Sequence, residues 1–295
     1  MEHRKIIQAL QDADLKNISI EDVRAQLKQL EKFGAMVTTL HPGKRIVRAR
    51  LTEKKSFENV SALSYKPQEF NSTFQRASTP YKTMFYGSIV PEIQGASEPS
   101  TARITVLFEI TDFLRDPNSI GELDITFSAW EVIEDIDLIS VIHHQKFERP
   151  TQLSSYLQEQ FQNLVKGNPD LEIQSLEISQ FLAREFAKSP ISHHTDYTIS
   201  ATYSEIISDS YDGILYPSVR LAGEGINIAL KPETVDKKLR FVAASECRVY
   251  KNKLETFVDN LTKTEASDGN SLKFTPLEAP YFVGEDYSRK MVGLS

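Results

Sequence analysis

The sequence predicts an α+β protein, because strand-like, helical and again strand-like segments follow one another along the chain. The strand-like runs are short, apolar and rich in β-branched residues, and they are 46–51, 83–90, 103–111, 124–141, 213–216, 226–230 and 239–250. Two longer central segments, 152–166 and 171–188, have helical periodicity and a helix-forming composition. Since the two kinds of element are segregated, we do not expect a regular βαβ alternation.

The first forty residues are predicted to be helical. Ser19 and Asp22 resemble a capping box, and the apolar stripe that follows extends to Leu30. Such a stripe indicates a face that docks on the rest of the chain. The turn-forming sequence His41-Pro42-Gly43 then ends this segment.

The C-terminal part has a weaker pattern. The segment 254–261 is a helix candidate, and the residues that follow are polar and interrupted by glycine and proline. The chain is therefore predicted to consist of an N-terminal helical segment, a main domain and an irregular tail, with the bounds 1–40, 41–262 and 263–295.

Composition excludes several classes of protein. The chain has 295 residues and a formal net charge of −7, so nucleic acid is not expected as a partner. A run of 18 apolar residues is missing, as is the apolar core of a signal peptide, which predicts a cytoplasmic protein without a membrane span. A single cysteine, Cys247, excludes an intrachain disulfide and a cysteine-only zinc site.

Several short motifs are similar to known functional motifs but do not predict a functional site. Gly223 and Gly225 form a lone Gly-x-Gly that predicts a turn, not a dinucleotide fingerprint. The pairs His143-His144 and His193-His194 are adjacent residues that point in different directions, so no metal site is predicted. Ser218 lacks the Gly-x-Ser-x-Gly elbow of serine hydrolases.

A dispersed set of motifs remains. In chain order its pieces are Val47–Arg50, Gln75–Ser78, Met84–Ser88, Ala102–Glu109, Gly213–Arg220 and Gly225–Leu230. In order and character this set resembles the RES-domain family, which is named for an arginine, a glutamate and a serine, and the resemblance covers 46–241. The segment Tyr216-Pro217-Ser218 with its downstream Asn-x-Ala-Leu is the most specific piece.

The resemblance implies a fold similar to ADP-ribosyltransferase toxins, with a mixed β core and flanking helices. It also implies an enzyme that breaks NAD at its nicotinamide–ribose bond, by hydrolysis or by phosphorolysis, as the toxin of a toxin–antitoxin pair. The partner implied is a small helix-turn-helix antitoxin of the Xre type. The acceptor and the oligomeric state stay open.

Each residue matches one part of NAD. Arg48, with Arg76 as second donor, suits the pyrophosphate because a guanidinium donates two parallel charge-assisted bonds. Tyr86 suits stacking on the nicotinamide. Glu109, expected at the end of a strand-like run, suits the positive charge that develops at the anomeric carbon. Ser218 suits the ribose or the nicotinamide amide.

Alternatives remain open for the acid and for the activity. Glu98, which lies nearer to the tyrosine motif in sequence, is the second candidate for the catalytic carboxylate, and Glu109 is preferred because it follows an apolar element that would hold it in place. The same cleavage also serves a protein ADP-ribosyltransferase. A non-catalytic binding module that kept the fold is the rival class.

Overall fold

The structure, a computed structural model, describes residues 2–30, 33–53, 55–91, 99–143, 148–265 and 269–294. Within these residues the helices are α1 (Glu2–Asp12), α2 (Ile20–Lys28), α3 (Val60–Leu63), α4 (Pro99–Ile110), α5 (Asp112–Arg115), α6 (Gln152–Val165), α7 (Pro169–Phe186), α8 (Thr198–Ile207), α9 (Pro232–Lys238) and α10 (Glu285–Met291). The strands are β1 (Met36–Leu40), β2 (Arg45–Leu51), β3 (Phe85–Ile89), β4 (Ile120–Val132), β5 (Ile136–Ser140), β6 (Gly213–Pro217), β7 (Ile226–Leu230), β8 (Leu239–Asn252), β9 (Glu255–Glu265) and β10 (Thr275–Pro276). Two short 3-10 helices are Gln68–Phe70 and His194–Tyr197. The predicted α+β class is confirmed.

The chain divides into two compact units, each built from several stretches of sequence. The first unit comprises Met1–Leu40, Lys66–Tyr86 and Asp135–Lys237, and the second comprises His41–Tyr65, Gly87–Glu134 and Lys238–Ser295. This division follows packing, whereas the predicted bounds at residues 40 and 262 concern function and stay predictions.

The first unit packs helices on a small mixed sheet. β1 pairs antiparallel with β5, β5 pairs parallel with β6, and β6 pairs antiparallel with β7. Ser19 caps α2 by accepting a hydrogen bond from the Asp22 main-chain nitrogen, as predicted. The stripe that follows is buried from Val23 to Leu30 in a core shared with α7 and α8, so its predicted role as a docking face is confirmed.

The second unit is an antiparallel sheet with the strand order β3-β2-β4-β8-β9-β10. Its longest pairing joins β4 to β8, from Ile120↔Asn252 to Val132↔Leu239. One helix, α4, packs on β2, and the core between them contains Val47, Val106 and Cys247. A long antiparallel ladder of this kind fixes which side chains of neighbouring strands face each other.

Two predicted elements were wrong. The segment 103–111 was expected to be a strand because of its β-branched residues, but it forms most of α4, in which Ala102, Val106 and Ile110 recur at helical spacing and pack on the sheet. The helix candidate 254–261 begins in a turn and continues from Glu255 in β9, which pairs with β8 from Asn252↔Glu255 to Ala243↔Glu265. In both cases packing outweighed local propensity.

Parts of the predicted terminal segments also differ from expectation. Residues 36–40, within the predicted helical segment, form β1 at the edge of the first unit's sheet. The predicted irregular tail contains α10, whose N-terminal end is held by the Asp259 carboxylate through the main-chain nitrogens of Val283 and Gly284. A buried side chain on β9 therefore orders a segment whose own sequence is polar and gives no strong helical signal.

Candidate functional site

The turn Gln75–Ser78 and Tyr86 form one hydrogen-bonded cluster in the first unit. The turn is closed by Gln75 N to Ser78 O at 2.9 Å and by Ser78 N to Gln75 O at 3.2 Å. The Tyr86 hydroxyl accepts a hydrogen bond from Ala77 N at 3.1 Å and shares one with Ser78 Oγ at 2.7 Å. Ser78 Oγ in turn accepts from Met84 N at 3.1 Å. Two motifs that are separate in the sequence are thus joined through one phenol and one hydroxyl.

The rest of this loop is braced by two polar side chains. The Asn71 side-chain amide donates to Thr79 O at 2.8 Å, and the Asn71 main-chain carbonyl accepts from Tyr81 N at 2.6 Å. Glu205 on α8 accepts from Thr79 Oγ1 at 2.8 Å and from Lys82 Nζ at 2.6 Å. Burial raises the pKa of Glu205, but these hydrogen bonds and the nearby cations outweigh it, so the pKa lies below its ordinary value.

Arg76 lies at the tip of the turn and is buried, with 7% of its surface exposed. Its guanidinium donates to the Phe186 carbonyl, to Lys188 O at 3.5 Å and to the Tyr197 hydroxyl at 3.2 Å. It also lies over the Tyr197 ring, 4.9 Å from the centroid. Because the two carbonyls are at the C-terminal end of α7, a cation there is favourable to the helix. These bonds favour an anchoring role for Arg76.

The ion pair of Glu185 and Lys188 lies at the same end of α7. Glu185 is buried and forms an ion pair of 2.5 Å with Lys188. Burial raises the pKa of Glu185, while Lys188 opposes that rise. Lys188 also donates to Asp196 O at 3.3 Å, so the short helix His194–Tyr197 is tied to this end of α7. The end of α7 is thus held by two cations, Arg76 and Lys188.

Ser218 follows β6 directly and is fully buried. Its main chain closes the loop to β7, with Ser218 N to Gly225 O at 3.0 Å and Gly223 N to Ser218 O at 2.8 Å. Gly223 and Gly225 have φ of 96° and 88°, which confirms the predicted turn and explains the two glycines. Tyr216, two residues before Ser218, packs its ring 5.4 Å from that of Phe186.

Arg76 and Tyr86 both contact the part of the first unit that contains the apolar core with Phe186 and Tyr216. Phe186 accepts from Arg76 at its carbonyl and contacts Tyr216 through its ring. Tyr86 is partly buried against the same apolar core that contains Phe186 and Tyr216. Ser218 directly follows β6, two residues after Tyr216. An aromatic ring held in this way keeps a fixed orientation, which stacking on a ligand requires.

Arg48 and Glu109 belong to the second unit. Arg48 is buried on β2, opposite Ser128 of β4, so it is not the solvent-exposed strand residue that the local pattern also allowed. Its neighbour Arg50 donates to the Ala62 carbonyl, and burial lowers the pKa of Arg50. Glu109 is half-buried on the last turn of α4, where Arg115 donates to its carbonyl at 3.4 Å. Its prediction as a strand-end residue was wrong, and Glu98 lies outside the described residues.

Sequence reasoning missed two residues of this arrangement. Ser78 is part of the motif Gln75–Ser78 but has no predicted role of its own, and Tyr197 lies in a polar stretch without periodicity. A signal for Ser78 was present in its position two residues after Arg76, in a turn that precedes a strand. For Tyr197 there was none, because its contact with Arg76 spans 121 residues.

The chain shows neither a membrane-spanning helix nor a metal cluster within its described residues, and family models and curated proteins give no match. No helix in the described ranges has the length and apolar character that a bilayer span requires. Among the described residues no group of three histidine, cysteine, aspartate or glutamate side chains could hold a metal ion. No protein-family model matches the chain, and no curated protein matches it.

Proposed function

We propose that this protein cleaves NAD at the bond between nicotinamide and ribose, by hydrolysis or by phosphorolysis, as a RES-like enzyme. The observation that supports this most is the order of the motifs together with the contact between two of them. The Arg76 turn and the motif Met84–Ser88, which are adjacent motifs of the resemblance, are joined by three hydrogen bonds, two at the Tyr86 hydroxyl and one from Met84 N to Ser78 Oγ.

In this proposal the Tyr86 ring stacks on nicotinamide and holds it while the glycosidic bond lengthens. A fixed aromatic ring suits this step because the leaving group must stay aligned as positive charge moves onto the ribose. Ser218, buried at the end of β6, contributes a hydroxyl for the ribose or for the nicotinamide amide.

Arg48 is assigned to the pyrophosphate of NAD. Its buried position on a strand between two neighbours gives the guanidinium little freedom, which favours a bidentate interaction over a mobile surface contact. Arg76 remains the predicted second donor, although its bonds to the end of α7 fit an anchor better.

Glu109 is assigned to the stabilisation of the oxocarbenium-like centre. A carboxylate needs a fixed position to act on a developing charge, and α4 packed on β2 supplies a rigid support. The expected effect of Glu109→Gln is a loss of cleavage of about a hundredfold with little change in NAD binding. Glu172→Gln, an exposed glutamate on α7, is the matched control and should leave cleavage unchanged.

The decisive experiment incubates the purified full chain with NAD, with and without inorganic phosphate, and identifies the products by mass spectrometry. Hydrolysis gives nicotinamide and ADP-ribose, whereas phosphorolysis gives nicotinamide and ADP-ribose 1-phosphate only when phosphate is present. A mass gain of ADP-ribose on an added protein would show the transferase instead. Folded protein that releases no nicotinamide would leave the non-catalytic binding module.

The partner and the location are part of the same proposal. A toxin that consumes NAD requires a neutralising protein, and the resemblance points to a small helix-turn-helix antitoxin of the Xre type. A cytoplasmic location agrees with the single, buried cysteine. Expression of the chain with and without a candidate partner, followed by measurement of cellular NAD, tests both points.

A further inference from the structure

The Tyr86 clamp is defined as Ala77 N, Ser78 Oγ, Met84 N and the Tyr86 hydroxyl. Ser78 is fully buried and lies at its centre, since its hydroxyl oxygen is 2.7 Å from the Tyr86 oxygen and 3.1 Å from Met84 N. The Tyr86 hydroxyl also receives Ala77 N at 3.1 Å. The phenol oxygen is therefore used to fix the ring with respect to the turn.

The turn itself is held from its other side. Arg76, directly before Ala77, donates from its guanidinium to the Phe186 carbonyl and to Tyr197. The main chain of the turn thus has one fixed point at the end of α7 and another at the Tyr86 hydroxyl. A loop that is restrained at both points cannot rotate the tyrosine ring without breaking buried hydrogen bonds, which is costly.

We infer that Ser78 is a positioning residue that fixes the Tyr86 ring for stacking, and that the Tyr86 hydroxyl acts through this clamp and not as a proton donor to substrate. This inference rests on the proposed function and adds a residue to it. Ser78→Ala, at a residue without a predicted role in the chemistry, and Tyr86→Phe should therefore have similar effects, because each removes the hydrogen bond between the two hydroxyls and one main-chain bond of the clamp.

The test measures nicotinamide release for the parent, Ser78→Ala, Tyr86→Phe and the double variant. We expect each single variant to lower kcat/KM by about tenfold, and the double variant to lower it by clearly less than the roughly hundredfold of independent effects, because the two changes share the bond between the hydroxyls. The pH profile of kcat should keep its shape in all three. Ser204→Ala is the control, since Ser204 is an equally buried serine whose hydroxyl donates to Ser200 O within α8.

A second readout does not depend on activity. Amide hydrogen exchange of Ala77 and Met84 should become faster in Ser78→Ala and in Tyr86→Phe, and should stay at the parent rate in Ser204→Ala. Unchanged exchange at both amides in the two clamp variants would overturn the inference even if their activity fell.

The outcomes distinguish a failure of the clamp from a failure of the proposed function. A tenfold loss in both single variants, with a loss in the double variant clearly below about a hundredfold, supports the clamp. A Tyr86→Phe loss far larger than that of Ser78→Ala, together with a missing alkaline limb in the pH profile, overturns it in favour of a catalytic hydroxyl. A folded parent that releases no nicotinamide overturns the proposed function and this inference with it, whereas an active parent with additive losses overturns this inference alone.

Discussion

The segments 71–86 and 277–294 are both held in place by buried polar side chains, but they differ in how far they are buried. In each, a buried polar side chain binds main-chain groups of the segment: Asn71 and Ser78 in the first, Asp259 in the second. The first segment is buried along much of its length, whereas the second exposes large side chains such as Tyr281 and Met291. Hydrogen bonds alone therefore do not distinguish a segment that positions side chains from one that covers a surface.

The two segments differ in which residues their hydrogen bonds hold in place. In 71–86 the anchored groups hold Arg76 and Tyr86, so a loosened bond moves residues in the centre of the first unit. In 277–294 the Asp259 carboxylate also accepts from Ser288 Oγ at 3.1 Å, and Asn252 donates to Val292 O at 2.9 Å, but the large side chains Tyr281 and Met291 are exposed. We therefore expect global consequences from breaking the first segment and local ones from breaking the second.

The largest effect is expected for Arg76→Ala. The change removes a charged donor from two carbonyls at the end of α7 and from Tyr197, and it leaves buried acceptors unpaired. The free energy of unfolding should fall by about 4 kcal/mol, measured by denaturant titration of the whole chain. Arg76→Lys should recover little, because one ammonium cannot span the same acceptors.

The matched control is Arg184→Ala, an exposed arginine in the last turn of the same helix. Its loss should cost less than about 1 kcal/mol. If Arg76→Ala and Arg184→Ala have similar effects, segment 71–86 is not anchored through Arg76 and the contrast between the two segments fails.

The next largest effect is expected in the pH dependence of the unfolding free energy, through His143 in the first unit. His143 contacts the Phe161 ring at 4.3 Å and lines a cavity of about 10 Å³ with Ile139 and Tyr203. Burial lowers its pKa from 6.5 to about 4. Because the unfolded chain takes up a proton at this site more readily than the folded chain, stability should be full above pH 6.5 and fall as the pH drops toward 4.

The expected loss at pH 4 is on the order of 3 kcal/mol from this group. The measurement is the difference in unfolding free energy between pH 7 and pH 4, for the parent and for His143→Phe, which keeps an aromatic ring beside Phe161 and cannot be protonated. A pH dependence that is the same in both proteins would show that His143 does not contribute it.

A smaller and local effect is expected for Asp259→Ala. Val283 N, Gly284 N and Ser288 Oγ lose their acceptor, so 277–294 should detach while the sheet of the second unit persists. We expect the opening free energy of this segment to fall by about 2 kcal/mol, seen as faster amide exchange at Val283 and Gly284 and faster proteolysis within the segment. Loss of protection throughout β8 and β9 would contradict the idea of a surface arm.

Elements that carry a complete local pattern could be predicted from the sequence, and contacts across long separations could not. β2 and the helices α6 and α7 follow directly from periodicity and composition. The segment 254–261 has apolar residues at helical spacing, and only its pairing with β8 makes it a strand. The prediction for α4 was wrong in the opposite sense, because its β-branched residues favoured a strand, whereas they pack as a helix on β2.

The candidate site shows the same limit. Tyr86 and Ser218 were identified through motifs, but the hydrogen bond of Arg76 to Phe186 joins residues 110 positions apart. The Tyr86 clamp, by contrast, joins residues that are close in sequence. It could have been inferred from chemistry, because a buried serine in a tight turn needs a partner for its hydroxyl. The roles of Arg48 and Glu109 stay predictions that the NAD experiments test.

The smallest effect concerns two residues with positive φ, one in segment 71–86 and one in the hairpin between β8 and β9. Tyr81 has φ of 62° and Lys253 has φ of 59°, a region that glycine adopts without strain and other residues do not. Tyr81→Gly and Lys253→Gly should each raise the unfolding free energy by up to about 1 kcal/mol, measured by denaturant titration. Tyr81→Ala separates the two contributions, because it removes a ring that is 62% exposed and keeps the strained β-carbon, so it should stay close to the parent. If Tyr81→Gly is instead destabilising while Lys253→Gly stabilises, the exposed ring itself packs on segment 71–86, and the loop depends on more than its buried hydrogen bonds.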